Sequence, residues 1–324
     1  MLEPDGISMP TPEIGRREQE RYSEVEGAAG HCETGEMSKE LIISPRSERV
    51  REELADAGAW SSYAAALRQV LGAVVAKSGI DFLEVGELLV NEPLPDRHLG
   101  LRNGAEVHFP QAIDLVEGMA AGRGPYCRLS IQGRLQIESG WDGAIHVYMT
   151  RAAAADLARL RCQDAILQWR DAAPEPTAVL NPVGAVADEN FWETVAKVSE
   201  RFTLLCERWA YGASGCRWFR VSRENAAEVA RLMRPRSLVC VISDPALQPR
   251  PELVEDDFTA FVAPLLPSEL RYRAYPGGAD TLSAVTGAGF SLMVADRVMG
   301  DWCAVVPDSD GVNRAQWESP GAVV

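Results

Sequence analysis

The chain has 324 residues, 46% of them apolar and 24% charged, which is the composition of a globular protein long enough for two ordinary cores. A formal charge of -15 lacks the concentrated positive field that a nucleic acid or an anionic membrane surface requires, so neither is expected as a partner. No apolar run approaches the roughly 20 residues needed to span a bilayer.

Residues 1–43 are rich in Glu, Gly, Pro and Arg and show no sustained apolar period, so they are expected to form a disordered acidic tail. Met37, near its end, offers an alternative start, and the tail lacks the basic start and apolar centre of a signal peptide. Ser44-Pro45 reads as a helix cap followed by proline in the first turn, which places the first ordered helix there. Trp60, Tyr63, Leu67, Val70, Leu71 and Val74 then recur at helical spacing and stop near Gly79. Residues 80–90 alternate imperfectly, and Pro93, Pro95, Gly100 and Gly104 mark a long connection. Pro110 opens a short amphipathic helix through Met119. Three strand candidates follow at 126–132, 134–138 and 143–149, joined by short glycine-containing turns, which predicts an antiparallel meander.

A helix is expected from Thr150 to about Arg170. The proline-rich segment 173–187 reads as a linker between an N-terminal lobe, 44–172, and a C-terminal lobe, 188–324. Asp188 can cap a helix carrying Phe191, Trp192, Val195, Phe202 and Trp209 to about Gly212. A strand at 216–221, a helix, and a strand at 238–242 that is apolar on both faces and therefore central come next. The chain closes with strands near 270–275, 290–295, 302–306 and 312–317 and a short helix at 280–285.

One short pattern occurs twice, from Thr150 to Leu160 and from Ser222 to Leu232, each time after a strand-like run. Arg151/Arg223, Ala154/Ala226, Ala155/Ala227, Ala158/Ala230, Arg159/Arg231 and Leu160/Leu232 are identical. The pattern suggests an internally duplicated strand–helix unit. In the preceding strands, Ile145, Val147 and Met149 share a core face, as do Phe219 and Val221, leaving His146, Tyr148, Trp218 and Arg220 on the opposite faces.

Chemistry is harder to find. The cysteines, Cys32, Cys127, Cys162, Cys206, Cys216, Cys240 and Cys303, are odd in number and contain no CxxC pair. This argues against a disulfide framework or structural zinc, and for a reducing cytoplasm. His98 has Asp96 nearby and His108 has Glu106, but neither has a second histidine at metal-ligand spacing. Cys127 and His146 fall on neighbouring strands, yet the pleat sends them to opposite faces, so no catalytic dyad is expected. No phosphate-binding loop or nucleophile elbow is present, and no cofactor or metal is implied.

The sequence therefore predicts an α+β fold of two lobes, with mostly antiparallel sheets and helices packed on one face. Function is expected to be non-catalytic binding of another protein, with an adaptor, inhibitor or immunity-type role, and the acidic charge suits a basic partner. The partner-binding surface is expected to comprise Trp141, His146, Tyr148, Trp218 and Arg220. Two alternatives stand beside it: a hydrolase-like site assembled from loops around His98 or His108, and a small-ligand sensor binding between the lobes.

Overall fold

Alternating side chains after residue 36 build sheets around the amphipathic helices. The computed structural model describes residues 36–46, 57–174, 185–212, 214–245, 247–262, 268–287, 290–295 and 302–313. The elements of the first half are β1 (Met37–Pro45), α1 (Ala57–Ser78), β2 (Phe82–Leu89), β3 (Glu106–His108), α2 (Phe109–Ala120), β4 (Tyr126–Ile131), β5 (Leu135–Ser139), β6 (Ile145–Thr150), α3 (Arg151–Leu157) and β7 (Ala165–Asp171). The strands form one antiparallel seven-stranded sheet, in the order β3-β2-β4-β5-β6-β1-β7.

One face of that sheet holds the first core. Leu41, Ile43, Val85, Leu129, Leu135, Ile137, Ile145, Val147 and Met149 meet Leu67, Val70, Val74, Leu115 and Val116 of α1 and α2. Burying these side chains against helices of matching period supplies most of the stability of this half. Tyr63 is buried with them because its single hydroxyl proton is shared between the carbonyls of Ile43 and Gly143, at 3.1 and 2.7 Å, which leaves its polar end satisfied.

The second half contains α4 (Glu189–Val198), β8 (Thr203–Arg208), β9 (Cys216–Val221), α5 (Ala226–Leu232), β10 (Leu238–Ser243), β11 (Phe258–Val262), β12 (Ser268–Leu270), β13 (Tyr272–Tyr275), α6 (Leu282–Gly287), β14 (Phe290–Ala295) and β15 (Trp302–Val305). A five-stranded antiparallel sheet runs β12-β9-β8-β10-β15, and a three-stranded one runs β13-β11-β14. On one face of the five-stranded sheet, Leu205, Phe219, Val221, Val239 and Val241 pack against Phe191 and Val195 of α4 and Ala226 and Val229 of α5. On the other, Leu204, Cys206, Cys216, Trp218 and Cys240 pack with Phe261 of the small sheet.

The described residues belong to one compact unit. Backbone bonds tie the two large sheets: Val90 N–H donates to the Tyr211 carbonyl, Tyr211 N–H to that of Leu88, and Asn103 N–H to that of Trp209. Trp209 and Ala210 pack into the first core.

The fold is α+β with antiparallel sheets, as the alternation predicts, but three local expectations are corrected. Ser44-Pro45 ends strand β1 rather than starting a helix, and residues 37–43, assigned to the tail, pair with β6 and β7. Their alternation of Leu41 and Ile43 with Glu40 and Ile42 outweighs a local capping signal, because one face is buried between two partner strands. The Thr150 helix stops at Leu157, and Ala165–Asp171 is an edge strand whose Ala165, Leu167 and Trp169 turn towards the core while Ile166, Gln168 and Arg170 turn away. The Asp188 helix ends at Val198, and the run Thr203–Arg208 becomes a strand buried on both faces.

Duplication is not shown, and the two repeated segments begin differently. Thr150 Oγ1 accepts directly from Ala153 N–H, so α3 starts at Arg151, whereas Ser222 and Asn225 form a turn and α5 starts only at Ala226. Residues 1–35, most of the linker (175–184) and 314–317 of the last expected strand lie outside the described residues.

Candidate functional site

The polar-aromatic surface expected from sequence divides between the two large sheets. His146 and Tyr148 lie on the far face of the seven-stranded sheet, on β6. Trp218 and Arg220 lie on β9 of the five-stranded sheet. Trp218 is 0% exposed and meets Phe261 edge-on at 5.1 Å, so a second layer of the same chain covers it. Arg220 places its guanidinium over Phe202, 5.1 Å from the ring centre. Trp141, at the β5–β6 hairpin, is 91% exposed. The adjacent Gly140 lies against His146, since a Cβ added there would meet the His146 ring 2.3 Å away.

Around His146 and Tyr148 the register builds a polar network. Glu40 on β1 is directly opposite Tyr148 on one side and Arg170 on the other, and Glu138 is opposite His146. Glu40 is fully buried, with His146 Nδ1 at 2.5 Å and a two-pronged contact from Arg170. Burial raises the Glu40 pKa, but the Arg170 and His146 hydrogen bonds and charges outweigh it and hold the carboxyl below its ordinary value. Further along, Arg128 donates to Glu138 and pairs with Glu87, both at 2.9 Å. Cys127 points to the opposite, core side of the sheet, where burial pushes its thiol up to about 12. The dyad with His146 is absent for the reason the pleat gives.

The two histidines of the loop-assembled alternative separate clearly. His108 is exposed at the start of α2. His98 sits in a short 3-10 turn, Asp96–His98, is only 3% exposed, and lines a cavity of about 790 Å³ between the 91–98 connection, the α1 and α2 surfaces and the 122–126 loop. Local sequence makes this recess. Proline at 93 and 95 keeps the connection out of helix and sheet. Gly118 lets the 122–124 turn approach α2, since a Cβ there would lie 2.9 Å from the Gly124 carbonyl oxygen.

Charge of both signs lines the cavity, with Glu92 and Asp114 as well as the arginines. Arg97 and Arg123 are exposed residues of its wall, whereas His98 is buried and the Glu117 side chain only 14% exposed. Arg68 is held by both acids of α2, at 2.7 Å from Glu117 and 3.2 Å from Asp114. Among the described residues, Arg97 and Arg123 have no carboxylate within ion-pair distance; Arg123 lies over the Trp60 ring. Burial, aided by the Asp114 charge, raises the Glu117 pKa against the lowering effect of Arg68 and Arg123. Burial and the Arg97 charge lower that of His98, against a smaller opposing effect of Asp114, which keeps the ring neutral at pH 7.

The tautomer follows from the contacts. Arg97 Nε donates to His98 Nε2 at 3.2 Å, so the neutral ring carries its proton on Nδ1. That Nδ1 is buried without a hydrogen-bond partner among the described residues. A buried, unused donor costs about 1–3 kcal/mol until an acceptor reaches it. The residues lining the cavity include no serine, threonine or cysteine that could serve as a nucleophile. The arrangement leaves a buried donor available to an acceptor.

Sequence reading identified His98 but not its setting. Glu117, Arg68 and Arg123 carry no motif and become neighbours only when α2 packs beside α1. Among the described residues no group of three or more His, Cys, Asp or Glu side chains is placed to hold a metal ion, and no helix is long and apolar enough to cross a membrane. Comparison with known protein families, curated proteins and solved structures finds no match to this chain.

Proposed function

We propose that the protein is a small-ligand binder, and that its ligand is a small anionic molecule held in the His98 cavity. The observation that carries this reading is the buried His98 Nδ1–H, a donor without an acceptor on a residue that lines a recess with two exposed arginines in its wall. An oxyanion reaching that nitrogen satisfies it, while Arg97 and Arg123 supply attraction that strengthens as salt is lowered. The volume is that of a small-molecule site. This is not the inter-lobe sensor expected from sequence, since every residue lining the cavity falls between Arg68 and Tyr126 in the N-terminal half; the hydrolase is disfavoured because His98 Nε2 is occupied by Arg97.

The test is calorimetry and thermal shift with citrate, inorganic phosphate and a sugar phosphate. At least one is expected to bind, with Kd raised at least about tenfold, or 1.4 kcal/mol, in Arg97→Ala, Arg123→Ala and His98→Asn. The two arginine variants are at exposed positions and so report on the site without disturbing the core. Absence of binding by all three probes, or unchanged binding in both arginine variants, overturns the reading.

A second reading is favoured by the 91% exposure of Trp141 beside the ion-paired sheet face and by the net charge of -15. On it, a basic protein docks over Trp141 and His146, so Tyr148, which is buried, drops out of the expected surface together with Trp218 and Arg220. An affinity capture in which the same basic partner is retained equally by Trp141→Ala and wild type counts against it.

A further inference from the structure

The far face of the five-stranded sheet carries Cys206, Cys216, Cys240 and Cys303. Three of them share one register row, with Cys240 on β10 directly opposite Cys206 on β8 and directly opposite Cys303 on β15. Cys216 lies off that row, opposite Arg208.

The two sides of Cys240 are not equivalent. Val305 turns its backbone groups away from β10, its N–H donating to the Ala185 carbonyl at 3.0 Å and its carbonyl accepting from Ala187 N–H at 2.8 Å. Hydrogen-bonding direction alternates along an antiparallel strand, so Cys303, two residues earlier, also faces its backbone groups away from β10. Cys240 and Cys303 are thus a non-hydrogen-bonded cross-strand pair. Such pairs bring Cα atoms to about 4.5 Å, within the span of about 4.4–6.8 Å that a disulfide bridges. Their sulfurs are already 3.2 Å apart. By the same alternation Cys240 turns its backbone groups towards Cys206, which makes that the wider, hydrogen-bonded kind of pair.

Access is also unequal. Cys240 is 5% exposed, whereas Cys303, on the edge strand, is partly exposed. The Cys303 hydrogen bond and burial both push the Cys240 thiol up, which leaves Cys303 as the point of entry.

We propose that Cys240 and Cys303 are a reversible modification site, closed into a cross-strand disulfide by exchange with a small-molecule disulfide. Cys303 gives its proton to solvent and its thiolate attacks one sulfur of the small disulfide, forming a mixed disulfide and expelling one small thiolate, which takes up a proton. Cys240 then gives up its proton, and its sulfur attacks Cys303 Sγ, expelling the second small thiolate, which is protonated in turn. Two protein thiols and one small disulfide become one protein disulfide and two small thiols, so the two electrons and two protons end on the small molecule. The new bond ties edge strand β15, together with the 185–187 segment bonded to it, covalently to its neighbour β10.

The experiment treats the folded full chain with oxidised glutathione, blocks remaining thiols and maps peptides by mass spectrometry without reduction. Expected are a Cys240–Cys303 linked peptide, loss of two hydrogens in intact mass, its reversal by dithiothreitol, and slower amide exchange along β15. The bridge should persist in Cys206→Ser and vanish in Cys303→Ala, in which Cys240 stays reduced. A stable glutathione adduct at Cys303 without the bridge, no oxidation at either cysteine, or a bridge from either cysteine to Cys206 or Cys216 each overturns the proposal.

Discussion

The far faces of the two large sheets are built from the same alternation and meet opposite fates. On the seven-stranded sheet that face carries Glu40, Arg128, Gln136, Glu138, His146, Tyr148 and Arg170, joined across strands by ion pairs and hydrogen bonds. On the five-stranded sheet it carries Leu204, Cys206, Cys216, Trp218 and Cys240 and is roofed by Phe261 and its small sheet. Helices cover the near face of both. A period of two says which side chains lie together; their polarity decides whether another layer can cover them without stranding charge.

The largest effect expected from this contrast is at Trp218. Trp218→Ala should lower stability by about 3–5 kcal/mol, read by urea denaturation, because the ring is enclosed between two sheets and leaves a cavity. A loss below about 1 kcal/mol, the range of an exposed position, would mean that the small sheet does not seal this face.

Glu40→Gln comes next. It leaves Arg170 and His146 without the carboxylate they share, and the expected loss is about 1.5–3 kcal/mol, the range for hydrogen bonds to charged groups. The pH dependence has a definite sign. Because the folded-state pKa of Glu40 is lowered, its contribution is complete above the unfolded value of about 4.3 and is lost as pH falls through the lower folded value. Melts of wild type and Glu40→Gln should therefore converge between pH 5 and the acid limit; a constant gap would show that the network acts through shape rather than charge.

His98 titrates with the same slope for a different reason. Its pKa is lowered, so protonation opposes the fold, and stability should decline as pH drops from about 6.5 towards the folded value. His98→Asn should remove that slope, and an unchanged profile would place its origin elsewhere. The smallest effect is expected at Trp141, where Trp141→Ala should change stability by no more than about 0.5 kcal/mol, since the ring is 91% exposed. A larger loss would reveal a contact that holds the hairpin against the polar face.

Much of the near-face core was readable because it depends on local periodicity. Ile145, Val147 and Met149, Phe219 and Val221, and the stripe on α1 need only the pleat or the helical repeat to be placed. The errors fell where local and non-local signals disagree. Ser44-Pro45 looks like a helix cap until β6 and β7 are known to flank the segment, and the stretch after Leu157 looks helical until Ala165–Asp171 finds β1 as a partner. Trp218 and Tyr148 were equally outward from their own cores. Both are buried, but Trp218 is enclosed by Phe261, 43 positions later in the chain, whereas Tyr148 sits opposite Glu40 in the polar network.

By itself the sequence determined the α+β class, the antiparallel meander, the inward faces and the separation of Cys127 from His146, because each follows from side chains within a few positions of one another. Tertiary structure alone decided which far face is covered, that His98 rather than His108 lines a cavity with Glu117 and Arg123, and that Cys240 meets Cys303 across a strand pair. Those outcomes depend on segments far apart in the chain meeting in one register, and no local period encodes that meeting.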